Sequence, residues 1–213
     1  MLPPIAGRVR IEGSLPSSVT LDRFRVTIRP ADLEETSPPM SVRQASLPVQ
    51  ADGTFILNAV SDGEFRVTMP ALPPGLYVKQ ATLDGQDVLN HSLPFRAGPL
   101  DIVLSSKGGQ VEGVVTNDRL QPMAGVQAVL IPDEARDRPE LFKTATTDAD
   151  GHFTIPDVAP RDYKLFAWED LEPFCYFDPD FLKHFEQQGS PVHVSDSSHQ
   201  IVDVRMIPSG SVQ

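Results

Sequence analysis

A single cysteine, Cys175, stands in 213 residues, so no internal disulfide can staple the chain and its core must hold the fold unaided. Positive charge is also scarce. Eighteen Lys and Arg stand against 29 Asp and Glu, a formal charge of −11. No basic cluster offsets this, the nearest approach being Arg23, Arg25 and Arg29 on one alternating face. Such a surface repels phosphate backbones, which makes nucleic acid a poor partner, and it favours solubility. Long apolar runs are missing. The longest stretch free of strongly polar side chains, residues 69–78, is ten residues long with three Pro and a Gly, and it cannot insert in a bilayer as a spanning helix. The opening Met1-Leu-Pro-Pro4 has no charged segment followed by an apolar one. A chain that begins so is either retained in the cell or already trimmed of its export signal.

What is present suffices for a core. Hydrophobic residues make up 40% of the chain, which argues against wholesale disorder. The length fits one large domain or two small ones.

An internal repeat decides between these. Ala51-Asp-Gly-Thr-Phe55 returns as Ala149-Asp-Gly-His-Phe153, and Glu64-Phe-Arg-Val67 as Asp162-Tyr-Lys-Leu165. Ile5-Ala-Gly-Arg-Val9 matches Val111-Glu-Gly-Val-Val115, and the segment ending Thr27-Ile-Arg-Pro30 matches that ending Leu130-Ile-Pro132. The order is kept while the spacing drifts, as for two copies whose loops differ in length. The reading is therefore two domains, 1–105 and 106–213, joined at Ser105-Ser-Lys-Gly-Gly109. So short a linker predicts copies held end to end as a rod.

Within each copy the period is two. Phe65, Val67 and Met69 alternate with Glu64, Arg66 and Thr68, and Tyr163, Leu165 and Ala167 alternate with Asp162 and Lys164. That pattern marks strands with one face in a core and one in water. Asp-Gly occurs at Asp52-Gly53, Asp84-Gly85 and Asp150-Gly151, where both residues tolerate the positive φ of tight turns. The prediction is an all-β chain of two tandem antiparallel sandwiches with about seven short strands each. One segment breaks the pattern. Asp178-Pro-Asp-Phe-Leu-Lys-His-Phe-Glu-Gln-Gln-Gly189 predicts a short helix, with Asp178 as N-cap, Pro179 at the first position and Gly189 as C-terminal cap. Phe181, Leu182 and Phe185 would form its apolar stripe. The first copy has the Asp84-Gly85 hairpin there instead.

The Gly-x-Val opening, the valine-rich strand ending in Pro, and Thr146-Thr-Asp-Ala-Asp-Gly-His-Phe-Thr-Ile-Pro-Asp-Val-Ala-Pro-Arg-Asp-Tyr-Lys-Leu165 together resemble the carboxypeptidase regulatory-like domain family. The second copy departs from it at Arg161-Asp162, where the family usually has Gly. The first copy is more divergent, having lost the Pro and carrying Phe for Tyr in Val60-Ser-Asp-Gly-Glu-Phe65. The long Trp168-Glu-Asp-Leu-Glu-Pro173 extension is similar to versions in soil bacteria such as acidobacteria. The resemblance implies a transthyretin-like, Ig-like seven-stranded sandwich, non-catalytic and without cofactor. It also implies an extracytoplasmic location, as part of larger exported bacterial proteins, and a protein or glycan partner at the cell envelope.

Candidate chemical sites are few. Asp148 and Asp150 could offer oxygens to calcium, but Gln50 replaces Asp148 in the first copy and six or more oxygens are needed, so a hairpin turn is the better reading. His91, His152, His184, His193 and His199 make no metal-ligand spacing. No Gly-x-Ser-x-Gly or His-Glu-x-x-His occurs, and no His neighbours Cys175. Two enzyme groups share a related sandwich. The Tyr and His iron ligands of intradiol dioxygenases are not matched, since Tyr163 reads as core and leaves Tyr77 and Tyr176. The Tyr-Arg-Gly-Ser tail of hydroxyisourate hydrolases is replaced by Pro208-Ser-Gly-Ser-Val-Gln213. The remaining candidates for ligand binding are aromatic. Trp168, with Phe174 and Tyr176, would stack a sugar ring or grip a partner if it faces outward. The competing and favoured reading is that the Phe181, Leu182 and Phe185 stripe folds back over Phe166 and Trp168.

Overall fold

The computed structural model describes residues 4–15, 19–30, 45–57, 64–94 and 98–209. Residues 60–63 of the first-copy motif and 210–213 of the tail, both weighed above, lie outside the described residues. The chain divides into two compact units, Met1–Ser106 and Lys107–Gln213.

The first unit is built of strands β1 (Ile5–Glu12), β2 (Arg25–Pro30), β3 (Ala45–Pro48), β4 (Thr54–Leu57), β5 (Glu64–Thr68), β6 (Tyr77–Leu83), β7 (Gln86–Asp87), β8 (Leu93–Pro94) and β9 (Leu100–Ser105). They form a five-stranded sheet, β4-β1-β9-β6-β7, and a four-stranded sheet, β3-β2-β5-β8. The two strands beyond the expected seven are accounted for by β7 and β8, each of two residues. Ile5, Gly7 and Val9 of β1 point inward while Ala6, Arg8 and Arg10 face water. Ile5, Val26, Phe55, Phe65 and Ile102 come from both sheets and meet in one apolar core. Burying each such side chain is worth about 1.5–3 kcal/mol, set against the entropy of ordering the chain.

Among the described residues every ladder of this unit is antiparallel except one. The first and last strands lie side by side in parallel, from Gly7 opposite Leu100 to Glu12 opposite Ser105. At the Asp84-Gly85 turn both residues take positive φ, 49° and 79°, and join β6 to β7. At Asp52-Gly53 only the glycine does, with φ 84°. The Asp52 carboxylate closes that turn by accepting from the Thr54 amide (2.9 Å) and hydroxyl (2.7 Å), and these bonds lower its pKa.

The second unit repeats the plan. Its strands are β10 (Gly109–Thr116), β11 (Gln127–Pro132), β12 (Lys143–Thr146), β13 (His152–Val158), β14 (Arg161–Trp168), β15 (Ser190–Val194), β16 (His199–Ile201) and β17 (Val204–Arg205). One sheet runs β13-β10-β16, with β17 also on β10, and the other β12-β11-β14-β15. Again the last strand runs parallel to the first. The repeat holds at single residues. Gly7 faces Phe55 across its ladder and Gly113 faces Phe153. A β-carbon on Gly7 would lie 2.1 Å from the Phe55 ring. On Gly113 it would lie 2.1 Å from the Val202 carbonyl, where the last strand breaks into β16 and β17. Pro30 faces Phe65, and Pro132 faces Tyr163. The Tyr163 hydroxyl donates to the Ala159 carbonyl at 2.9 Å, the tie that Phe65 has no oxygen to make.

The units differ between β14 and β15. The single α-helix there, α1, covers only Pro179–Lys183, shorter than the sequence pattern predicts. Its start is as read: Pro179 opens it, and the Asp178 carboxylate accepts from the Asp180 amide at 2.8 Å. Its end is corrected. Residues 184–188 form turns, and Gly189 is not among the residues of positive φ, so it makes no left-handed cap. Glycine is needed at 189 for a different reason, because a β-carbon there would meet the Phe166 ring at 2.5 Å.

Candidate functional site

The insertion builds a second apolar layer on the outside of a sheet. In a sandwich the outer face of each strand is normally polar. In the first unit Arg66 and Thr68 of β5 follow that rule and are half-exposed. On β11 and β14 the outer positions are instead Val129, Ile131, Phe166 and Trp168, and all four are buried. Val129 faces Phe166 in the ladder, so these side chains form a continuous strip. Chain from Glu169 onward crosses the strip, forms a 3-10 turn at Cys175–Phe177 and then α1, and returns into β15.

The aromatic rings interlock. Trp168 stacks on Phe166 at 5.1 Å and 14°, and Phe185 meets it edge-on at 5.8 Å and 88°. Phe181 lies 6.0 Å away. Beside them Phe142, Tyr176 and Phe177 pack with centroids 4.7–6.2 Å apart. Such contacts add about 0.5–1.5 kcal/mol each beyond area burial. Trp168 is 1% exposed. The outward platform that Trp168 would supply is therefore not what the structure builds, because Phe181 and Phe185 fold back onto it. Tyr176 is 7% exposed and faces the same interior, and its burial raises the hydroxyl pKa. Phe174 is 69% exposed. Of the three aromatic candidates it alone presents a ring to water. It stacks on Phe177 at 6.2 Å and 14°.

Polar contacts pin the insertion at both ends. The Glu169 amide donates to the Ile207 carbonyl, and its carboxylate accepts from the Ser209 amide and hydroxyl. At the far end Arg136 grips Glu186 with two donors, at 3.1 and 2.9 Å, and Lys164 of β14 donates to the same carboxylate. Arg136 is itself held by the Pro132 carbonyl at 3.0 Å. Hydrogen bonds from Arg136, then from Lys164, hold the Glu186 carboxyl far below its usual 4.5, at about 2, against the opposing effect of burial. The sequence reading missed this clamp, since 50 residues separate Arg136 from Glu186 and no local motif joins them.

The Asp148 carboxylate, His193 and His199 are engaged in structure. One Asp148 oxygen accepts from the Asp150 and His152 amides, at 2.9 Å each, which makes it a turn-closing group. Among the described residues no group of three or more His, Cys, Asp or Glu is arranged to hold a metal ion. His193 pairs with Asp162 and His199 with Glu112 on outward strand faces. The His199 hydrogen bond, then that of Gln110, lowers the Glu112 pKa. Burial and the Glu172 carboxylate push the Cys175 thiol upward, which keeps it protonated and a poor nucleophile. A shallow cleft of about 190 Å3 lies between Asn117–Gln121 chain and Met206–Pro208 chain, lined by Asp118, Arg119 and Gln121 among others. No helix among the described residues is long and apolar enough to cross a membrane.

No family model matches the chain, and no curated protein matches it. Solved structures do. The minor pilin GBS52 of Streptococcus agalactiae aligns over 94% of both chains at 12% identity, with a TM-score of 0.44. BcpA, the major pilin subunit of Bacillus cereus, aligns over 95% of this chain and 98% of its own at 8% identity, with a TM-score of 0.31. The shaft pilin SpaA of Lactobacillus rhamnosus GG aligns over 95% and 96% at 11% identity, with a TM-score of 0.30.

Proposed function

We propose that this chain is a non-catalytic interaction and spacer module of an exported bacterial protein, made of two carboxypeptidase regulatory-like domains at 1–105 and 106–213. One observation carries the reading. The Asp148 carboxylate and the Tyr163 hydroxyl are committed to holding the backbone, while one outer sheet face of the second unit is remodelled into an aromatic layer that ends in an exposed Phe174. Loops carried on a rigid sandwich are where such modules meet their partners. The partner is a protein or glycan at the cell envelope, and the chain works outside the cytoplasm.

The test is affinity capture with the full chain from envelope fractions of the cells that encode it, together with fractionation and a screen for hydrolase activity and bound metal. An envelope component retained through washing, with no turnover, is expected. A cytosolic location with nothing retained would overturn the reading, and so would a measurable activity.

A further inference from the structure

The insertion of the second unit carries an anomaly that its packing role leaves unexplained. Phe174 has φ 71°, a left-handed backbone that suits Gly or Asn and is strained for a bulky side chain. It is also 69% exposed, so the strain is not offset by burial. The conformation is nevertheless fixed. The Cys175 amide donates to the Glu172 carbonyl, and the Phe177 amide to the Phe174 carbonyl. One face of the Phe174 ring lies on Phe177, which is anchored to the buried Phe142 and Tyr176 rings at 4.7 and 4.8 Å. An exposed aromatic ring held rigidly from below loses little entropy when a partner covers it.

Its neighbours along the chain carry one sign of charge. Glu169, Asp170, Glu172, Asp178 and Asp180 are all exposed, and no Lys or Arg occurs from 169 to 182. Asp180 pairs with Lys183, whereas Asp170 and Glu172 have no ion-pair partner among the described residues. A second copy of this chain, at −11, would be repelled, as would an anionic lipid surface. We infer that Phe174 and the carboxylates beside it form a docking site for a basic segment of a partner protein, with an Arg or Lys side chain laid over the open face of the ring and its neighbours paired with Asp170 and Glu172. Cation–π contact and rim charge pairs suit that chemistry. The proposal rests on the interaction-module reading and names its partner class.

The experiment is selection of a phage-displayed random dodecapeptide library on the immobilised full chain, in parallel with its Phe174→Ala variant. Trp168 emission reports that the variant folds, and Phe174→Tyr serves as the conservative control. Enriched peptides should contain Arg or Lys beside an aliphatic residue. They should bind Phe174→Ala at least ten-fold more weakly and Phe174→Tyr about equally, and weaken with salt. The double variant Asp170→Lys, Glu172→Lys should lose them as well. Neutral or acidic winners, winners indifferent to Phe174→Ala, or no enrichment over bare support would each overturn the proposal. Winners indifferent to Phe174→Ala would leave the module reading standing on another surface, whereas no enrichment together with empty envelope captures would remove both.

Discussion

The ring of Phe166 fills the space that a side chain on Gly189 would take, with only 2.5 Å between the ring and a β-carbon built there. The last residue of the insertion is thus fitted to the first layer of rings it covers. Gly189→Ala should cost about 1–3 kcal/mol by overpacking. Phe166→Leu should relieve part of that, since the two side chains share one volume. Denaturant titration of the two single variants and the double variant gives the coupling, and additive losses would show that the contact is not what limits position 189.

The Glu186 clamp has a pH signature. Its carboxyl titrates at about 2 when folded and near 4.5 when free, so the unfolded chain binds the proton more readily. The stabilisation is therefore fully present above the usual carboxylate range and disappears as pH falls through about 2. The groups are about a third exposed, and water screening reduces the effect to about 1–2 kcal/mol. Glu186→Gln should lower stability by that amount at pH 7. The gap from the parent chain should close steadily below pH 4, as read by unfolding midpoints across pH. A gap that stays constant with pH would show that charge is not involved.

Tyr163→Phe deletes the hydroxyl that ties to Ala159 and leaves a buried carbonyl without its donor. The loss should be about 1 kcal/mol, or about 4–8 °C in the Tm of a unit of this size. Phe65 shows that the ring position works without the hydroxyl, so the variant should fold. Calorimetry should assign the drop to the second unit alone.

Trp168 is the sole tryptophan and reports on its own cover. Its emission should be blue-shifted and protected from acrylamide. Phe185→Ala removes the edge-on ring and should cost about 3–5 kcal/mol, with emission shifting red. A native chain whose tryptophan is quenched as readily as free indole would contradict the closed layer.

The readings that came through from sequence rested on local physics. Alternation gave the buried faces of β5 and β14, because side chains alternate along any strand. Asp-Gly marked the turns, and Asp178-Pro179 marked the start of α1, because both act within four residues. What stayed hidden depended on distant partners. Alternation tells which face of a strand is buried but not that β9, some 90 residues after β1, lies parallel to it. The pattern from 178 to 189 predicted a longer helix, yet Phe185 and Glu186 are held by Trp168, Arg136 and Lys164, and those contacts favoured turns over further helix. The exposure of Phe174 beside the burial of Tyr176 had no signal in composition, since both are aromatic residues of one short loop.

In the first unit the entering and leaving strands run alongside each other for six registered pairs, Gly7 to Glu12 against Leu100 to Ser105. Tension drawn through the ends of that unit therefore loads the whole row of amide bonds at once in shear, rather than peeling them off singly. In the second unit the matching row is interrupted beside Gly113, so under traction its seam should yield first.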